Sequence, residues 1–201
     1  MSRTIELSAV YARLILQSGI ADAAELLRGS DITESAVAER EFIAAHDLAQ
    51  LFRNFDRHAP DRGWTARLGA QFNMATHGPL GFAALSAPTL GEALDVMGTL
   101  HESRNTAFSA QTFATEKHYV LQVTDATAEP GFREWLVEVV LKIVEELLST
   151  ILGHRVGRNV LIRFSHPQPE DIAPLLAGFD STVVFGAPDN SIAVPLAWRH
   201  L

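Results

Sequence analysis

The run from Phe132 to Leu152 constrains the fold of this chain more than any other stretch. Its charged residues Glu134, Glu138, Lys142 and Glu145 recur at spacings of three and four, which puts them on one stripe of a helix. Phe132, Leu136, Val139, Ile143 and Leu147 form an apolar face, and Val137, Val140, Leu141, Val144, Leu148 and Ile151 widen it well beyond the stripe of an ordinary surface helix. Such a helix needs neighbours on two sides. Six charged side chains between Arg133 and Glu146 exclude a membrane span, since each would cost about 2.5 kcal/mol or more near the bilayer centre. Gly153 is placed to end the helix in a left-handed conformation.

Before that helix the chain reads as mostly helical. Leu7, Val10, Tyr11, Leu14 and Ile15 predict a helix over Leu7 to Leu16, and Ser18-Gly19 separates it from a short second one at Ala21 to Leu27. Phe42, Ile43, Leu48, Leu51, Phe52 and Phe55 predict an amphipathic third helix from Glu39 to Phe55, and a further helical stretch covers Thr65 to Phe72. Thr89 followed by Glu92 is a capping box and starts a helix at Leu90 that runs to about His101. Gly81, Ala83, Ala84 and Ala87 lack bulk, so the segment ahead of the cap can approach another backbone closely.

After Arg104 the texture becomes strand-like. Thr106 to Thr115 and His118 to Thr124 predict a hairpin turning at Glu116-Lys117, and Asn159 to Ser165 predicts a buried strand. Prolines at 167 and 169 stop that strand, and a short helix follows, ending at Gly178. Thr182 to Phe185 and Ser191 to Leu196 then predict a second hairpin around Pro188-Asp189-Asn190. The expected fold is α+β: a mainly antiparallel sheet of about four or five strands packed on the long central helix, behind a helical amino-terminal half. The 201 residues form one domain.

The formal charge of −8, with sixteen basic residues scattered along the chain, gives no electrostatic footprint for nucleic acid. There is no cysteine, no signal peptide and no apolar run of transmembrane length, which together suit a cytoplasmic protein away from membranes. Eight histidines include no His-x-x-x-His pair, so no metal site is expected. Ser165 and His166 are adjacent on a strand and point to opposite faces, which spoils a nucleophile and base relation. No phosphate-binding loop, dinucleotide fingerprint or nucleophile elbow is present, and a small cytoplasmic enzyme stays an alternative without a motif.

A small molecule would be enclosed where sheet, long helix and small-residue segment converge. Candidates to contact it are Trp64, Phe82, Arg104, Tyr119, Trp135 and Phe164, large aromatic or polar groups near that convergence. An Arg104 guanidinium could clamp a carboxylate, or pair with Glu102 instead. His166 is expected to bond local backbone before Pro167. No cofactor is expected, although a haem or gas sensor with His77 or His101 as axial ligand is a second alternative.

The segment His77-Gly-Pro-Leu-Gly-Phe-Ala-Ala-Leu-Ser-Ala-Pro-Thr-Leu-Gly-Glu-Ala-Leu, the later Phe164-Ser-His-Pro-x-Pro and the ending from Val184-Phe185 through Asn190 to Leu196 resemble the amino-terminal sensor domain of AraC/XylS-type transcription regulators, in the arabinose-binding-like subgroup. The resemblance covers nearly the whole chain and departs from the family at Phe179 to Val183, which lacks a proline before the final hairpin. It implies a domain that binds a small-molecule effector and forms a homodimer, with DNA read by a carboxy-terminal helix-turn-helix region absent from this chain. The third helix or the long helix would supply the dimer seam. The resemblance leaves either a sensor cut from a longer regulator or a stand-alone relative, and the ending at Trp198-Arg-His-Leu favours the cut.

Overall fold

The computed structural model describes residues 5–72, 74–101, 106–125, 127, 129 and 131–201. The chain begins with strand β1 (Glu6–Ser8), then helices α1 (Val10–Gln17), α2 (Ala23–Leu26) and α3 (Glu34–Glu39), strand β2 (Phe42–Ala44), and helices α4 (Ala45–His58), α5 (Trp64–Ala70), α6 (Met74–Leu85) and α7 (Leu90–Leu100). Strands β3 (Phe108–Ala114) and β4 (His118–Asp125) precede α8 (Phe132–Leu152). The chain then runs through β5 (Leu161–Arg163), α9 (Ala173–Ala177), β6 (Thr182–Val184), β7 (Asn190–Pro195) and a closing 3-10 turn, Leu196–His200. No helix among the described residues is long and apolar enough to cross a membrane.

Two stretches expected to be helical from their first apolar residue instead begin as strands. Leu7 and Ile43 lie directly opposite each other in the antiparallel β1–β2 pair, both buried. A two-stranded pairing between residues so far apart leaves no local periodicity, and three-residue strands are too short to show their alternation. The helices begin only at Val10 and Ala45.

The five-stranded sheet has the order β3-β4-β7-β5-β6 and is mixed, not mainly antiparallel. β3, β4, β7 and β5 pair antiparallel in turn, whereas β6 runs parallel to β5, with Ile162 opposite Val183. The second hairpin expected from the sequence therefore does not form: β7 passes over β5 and inserts between β5 and β4. Burial explains the placement. Ser191, Ile192, Ala193 and Val194 are all buried, which only an interior strand with both faces covered permits. Thr182 and Val184 are exposed and suit the edge.

Helix α8 ends at Gly153, whose φ of +70° is the left-handed region that glycine adopts without cost. It packs on α5, α4 and β7. Phe52 of α4 meets Phe132 and Trp64 edge-on, with ring centroids 5.1 and 5.3 Å away. Against α5 the approach is closer still: a Cβ on Gly69 would stand 2.7 Å from Lys142 Cβ and 2.8 Å from the Val139 carbonyl oxygen. Gly69→Ala is expected to destabilise the protein by about 1–3 kcal/mol through overpacking, despite alanine's better helix propensity. A urea midpoint at or above that of the parent would refute this reading of the contact.

Three of the four residues of the charged stripe of α8 are buried along with its apolar faces. Glu138 and Glu145 are fully buried and Lys142 is 2% exposed. Glu138 accepts hydrogen bonds from Arg62 Nη2 at 2.8 Å and Thr65 Oγ1 at 2.7 Å. Lys142 Nζ sits 2.6 Å from both Glu145 and Glu146 carboxylates. Glu145 also accepts from the Ser181 N–H at 2.8 Å, the Asp180 N–H at 3.1 Å and the Ser181 hydroxyl. The stripe thus ties α8 to α5 and to the start of β6.

Candidate ligand cavity

One turn of α8 after another faces the sheet with Val140, Ile143, Val144 and Leu147, the i, i+3, i+4, i+7 pattern of a single helical face. Opposite them stand Phe108 and Ala110 of β3 and Leu121 and Val123 of β4, brought level by the register that pairs Ala110 with Val123. Between these two walls lies a cavity of about 90 Å³. Met97 and His101 close it from α7, Thr76 and Leu80 from α6, and Ser8, Tyr11 and Phe72 from the amino-terminal side. Tyr11 and Phe72 pack ring against ring, with centroids 4.9 Å apart.

The α6 wall is irregular. Gly78 takes φ +54°, which breaks the helix ahead of Pro79, and Leu80 reaches the cavity from beyond the break. The α7 wall is regular, started by the Thr89 side chain accepting from the Glu92 N–H. His101 at its end is anchored twice: Nδ1 lies 2.8 Å from the Gly98 carbonyl oxygen and Nε2 2.9 Å from that of Phe108. Both ring nitrogens are directed at backbone carbonyls, so neither is aimed at a haem iron. The side chain of His77 and all of Arg104 and Glu102 lie outside the described residues.

The other five proposed contact residues are distributed around the domain and none lines the cavity. Trp64 is buried among Phe52, Phe55 and Trp135, donates its indole N–H to Asp56 Oδ1 at 2.6 Å, and borders a second cleft of about 430 Å³ between α1, α4 and α5. Phe82 points outward, 56% exposed. Trp135 is nine residues from Val144, half a turn around the helix at about 100° per residue, so it faces α5. Phe164 is buried against Phe179, Phe185 and His166. Tyr119 shares the cavity face of β4 but reaches past it: its hydroxyl donates to Asp95, and its ring lies 4.7 Å from the Arg199 guanidinium. Burial first, then the Asp95 carboxylate, pushes the Tyr119 hydroxyl above its usual pKa. The larger cleft touches neither the sheet nor α7 and α8, and its rim carries His58, Arg67 and Gln71. The smaller cavity is mostly apolar with a few polar groups, the lining usual for small-molecule sites, and it has walls from both layers of the fold.

A second cluster went unread in the sequence. Glu138, Arg62, Thr65 and His166 converge from α8, the α5 approach and the end of β5. His166 Nδ1 lies 3.0 Å from the Pro167 carbonyl, while its buried Nε2 has no hydrogen bond and stands 3.4 Å from Glu138 Oε1. Burial pushes the Glu138 carboxyl up to about 7, against the pull of Arg62 and Thr65, and burial holds His166 below its usual pKa. Among the described residues, Asp31, His46 and Asp47 have metal-ligand spacing. Asp47 Oδ1 accepts the Asp31 N–H at 2.7 Å, and the group fastens a turn to the start of α4.

A mixed five-stranded sheet, the helices around it and an apolar cavity between them make an α+β domain, and its family model places it among the regulatory domains of transcription regulators. The chain belongs to the family described as the arabinose-binding domain of AraC transcription regulators, amino-terminal, whose model matches residues 21–201. Its fold is similar to the crystal structure of the transcriptional regulator CdpR from Pseudomonas aeruginosa, with 15% identity and a TM-score of 0.59. That likeness covers 75% of this chain and 49% of CdpR, so the chain spans about half the length of the regulator it resembles. No curated protein matches the chain.

Proposed function

We propose that this domain senses a small-molecule effector in the cavity between α8 and the sheet and, as part of a cytoplasmic AraC-type regulator, controls DNA binding by a helix-turn-helix region outside these residues. It carries no catalytic role in this reading. The observation that supports it is the cavity itself, walled by α6, α7, α8 and the β3–β4 hairpin. α7 offers a route for the signal. Its carboxy-terminal end supplies Met97 and His101 to the cavity, and at its amino-terminal end the Leu90 N–H donates to the Leu201 carbonyl at 2.8 Å. Arg199 packs so tightly on Gly91 that a Cβ there would stand 2.5 Å from Arg199 Cγ. An effector that favours one setting of α7 would shift the chain's last residues with it, since a ligand moves an equilibrium only through unequal contacts with two states.

A homodimer is part of the proposal, with its seam away from the two helices first considered. α8 spends its apolar width inside the domain, and the exposed positions of α4, including His46, Arg57 and His58, are polar. Sedimentation at micromolar concentration tests the association.

A metabolite screen by thermal shift tests the site. A true effector at a hundredfold excess over its Kd should stabilise the fold by about 2.7 kcal/mol, and the gain should vanish in Val144→Phe, which fills the cavity. An effector that stabilises parent and filled variant equally places the site elsewhere. The isolated 201 residues, with charge −8, are expected to show no salt-sensitive association with duplex DNA. Sequence-specific gel shifts by this chain alone would overturn the division of labour proposed here.

A further inference from the structure

The lining of the cavity also selects a ligand class, an inference that rests on the cavity being the effector site. Of its fifteen lining residues, none among those described is Lys, Arg, Asp or Glu. A charged ligand would lose its hydration there with no lysine, arginine or carboxylate in the described lining to pair with, and both His101 nitrogens are already directed at backbone carbonyls. Polar atoms are few: the hydroxyls of Ser8, Tyr11 and Thr76, and the His101 nitrogens already directed at the carbonyls of Gly98 and Phe108. A sugar, with a hydroxyl on almost every carbon, would bury most of them unpaired. The family's description names arabinose, and this lining does not suit it.

Apart from His101, the polar groups also come from one side of the fold. Ser8, Tyr11 and Thr76 come from the amino-terminal segment and α6, whereas the sheet and α8 walls present only apolar side chains, among them Leu121, Val123, Val140 and Val144. The volume of about 90 Å³ is smaller than the ~150 Å³ engineered cavity that accepts benzene, so a chain of several carbons enters only as the walls part around it, and a slender one parts them least. We propose that the cavity takes a neutral, mainly aliphatic ligand of narrow cross-section, its chain between α8 and the β3–β4 hairpin and its single polar group toward Ser8, Tyr11 and Thr76.

Hexanamide, hexanoate and L-arabinose test this directly. The first two share shape and differ in charge, and the third is a sugar. With methyl-labelled Ile, Leu and Val in the full chain, hexanamide is expected to shift the Val140, Val144 and Leu121 methyl resonances and to bind at least tenfold more tightly than hexanoate, with no response to L-arabinose. Val144→Phe should abolish the hexanamide shifts, and Ala110→Val, a smaller filling from the opposite wall, should weaken them if the Phe variant fails to fold. Hexanoate or L-arabinose binding at these methyls as tightly as hexanamide overturns the ligand class while leaving the cavity as the site. Loss of such hexanoate binding in Arg104→Gln would trace it to a charge beyond the described lining. Silence of the cavity methyls to all three probes also overturns the class. A stabilising compound that moves only methyls outside the cavity, and binds both filled variants unchanged, sinks the effector-site reading instead.

Discussion

Glu145→Ala should cost this domain about 3–5 kcal/mol, the loss expected when one partner of a buried ion pair is removed and the other stays behind. Glu145 is fully buried and serves two neighbours. One carboxylate oxygen receives Lys142 Nζ at 2.6 Å, and the other accepts from the backbone N–H groups of Asp180 and Ser181 and from the Ser181 hydroxyl. Alanine would leave those donors without an acceptor in a site closed to water, each at about 1–3 kcal/mol before relaxation. Glu146 retains Lys142 at 2.6 Å, which keeps the total below the sum of the parts. Glu145→Gln separates the two roles, because its amide oxygen can still accept from residues 180 and 181 while the charge is lost. Urea unfolding measures the stability, and amide exchange at Ser181 reports whether the start of β6 loosens. An alanine variant within about 1 kcal/mol of the parent would show that the network contributes little to folding.

The second large effect is on pH dependence. Glu138 has a folded-state pKa of about 7 against an ordinary 4.5, with burial the main cause. A carboxyl whose folded pKa is raised contributes stability that is fully present below about 4.5, falls as pH rises toward 7, and stays lost above it. The gap between 4.5 and about 7, at about 1.4 kcal/mol per pH unit, amounts to ~3 kcal/mol. His166 acts in the opposite direction: its lowered pKa means stability present above 6.5 and lost as pH falls through the folded value. The groups facing Glu138 are Arg62 and Thr65 from the α5 side, His166 from the end of β5, and Glu134 one turn earlier on α8. Glu138→Gln removes the carboxyl titration and keeps an oxygen for Arg62. Relative to that variant, the parent should lose ~3 kcal/mol between about pH 4.5 and pH 7. Parallel stability curves across that window would mean that Glu138 titrates normally.

Local chemistry was legible in the chain. The Thr89 side chain caps α7 as the Thr-x-x-Glu spacing indicates, Gly153 takes the left-handed conformation, and β3 pairs with β4 across Glu116-Lys117. These features depend on residues within a few positions of one another, where sequence and geometry are nearly the same information. His166 likewise lies against the neighbouring Pro167 carbonyl. The family resemblance was legible for the same reason, since its motifs are continuous segments.

The strand order was not, because β7 chooses its neighbours by where two covered faces are available, and a five-residue link to β6 is compatible with a hairpin or with crossing β5. Nor could spacing reveal that Glu138, Lys142 and Glu145 are buried. A stripe of charge on a helix looks the same whether it meets water or Arg62, Thr65 and Ser181, and those partners come from segments 36 to 76 residues away. The cavity is the extreme case. Aromatic size drew attention to Trp64 and Phe164, which fill the core, and to Trp135, which packs half-buried against it, whereas the space is bounded by Val140, Val144, Ala110 and Leu121. Residues chosen for bulk tend to occupy volume, and a void exists where smaller side chains from separate elements fail to meet. What this chain could say unaided was the type and ends of most elements and the family they compose. Which charges are enclosed, which strand sits between which others, and where a ligand finds room depend on distances between remote segments, and those exist only once the chain has folded.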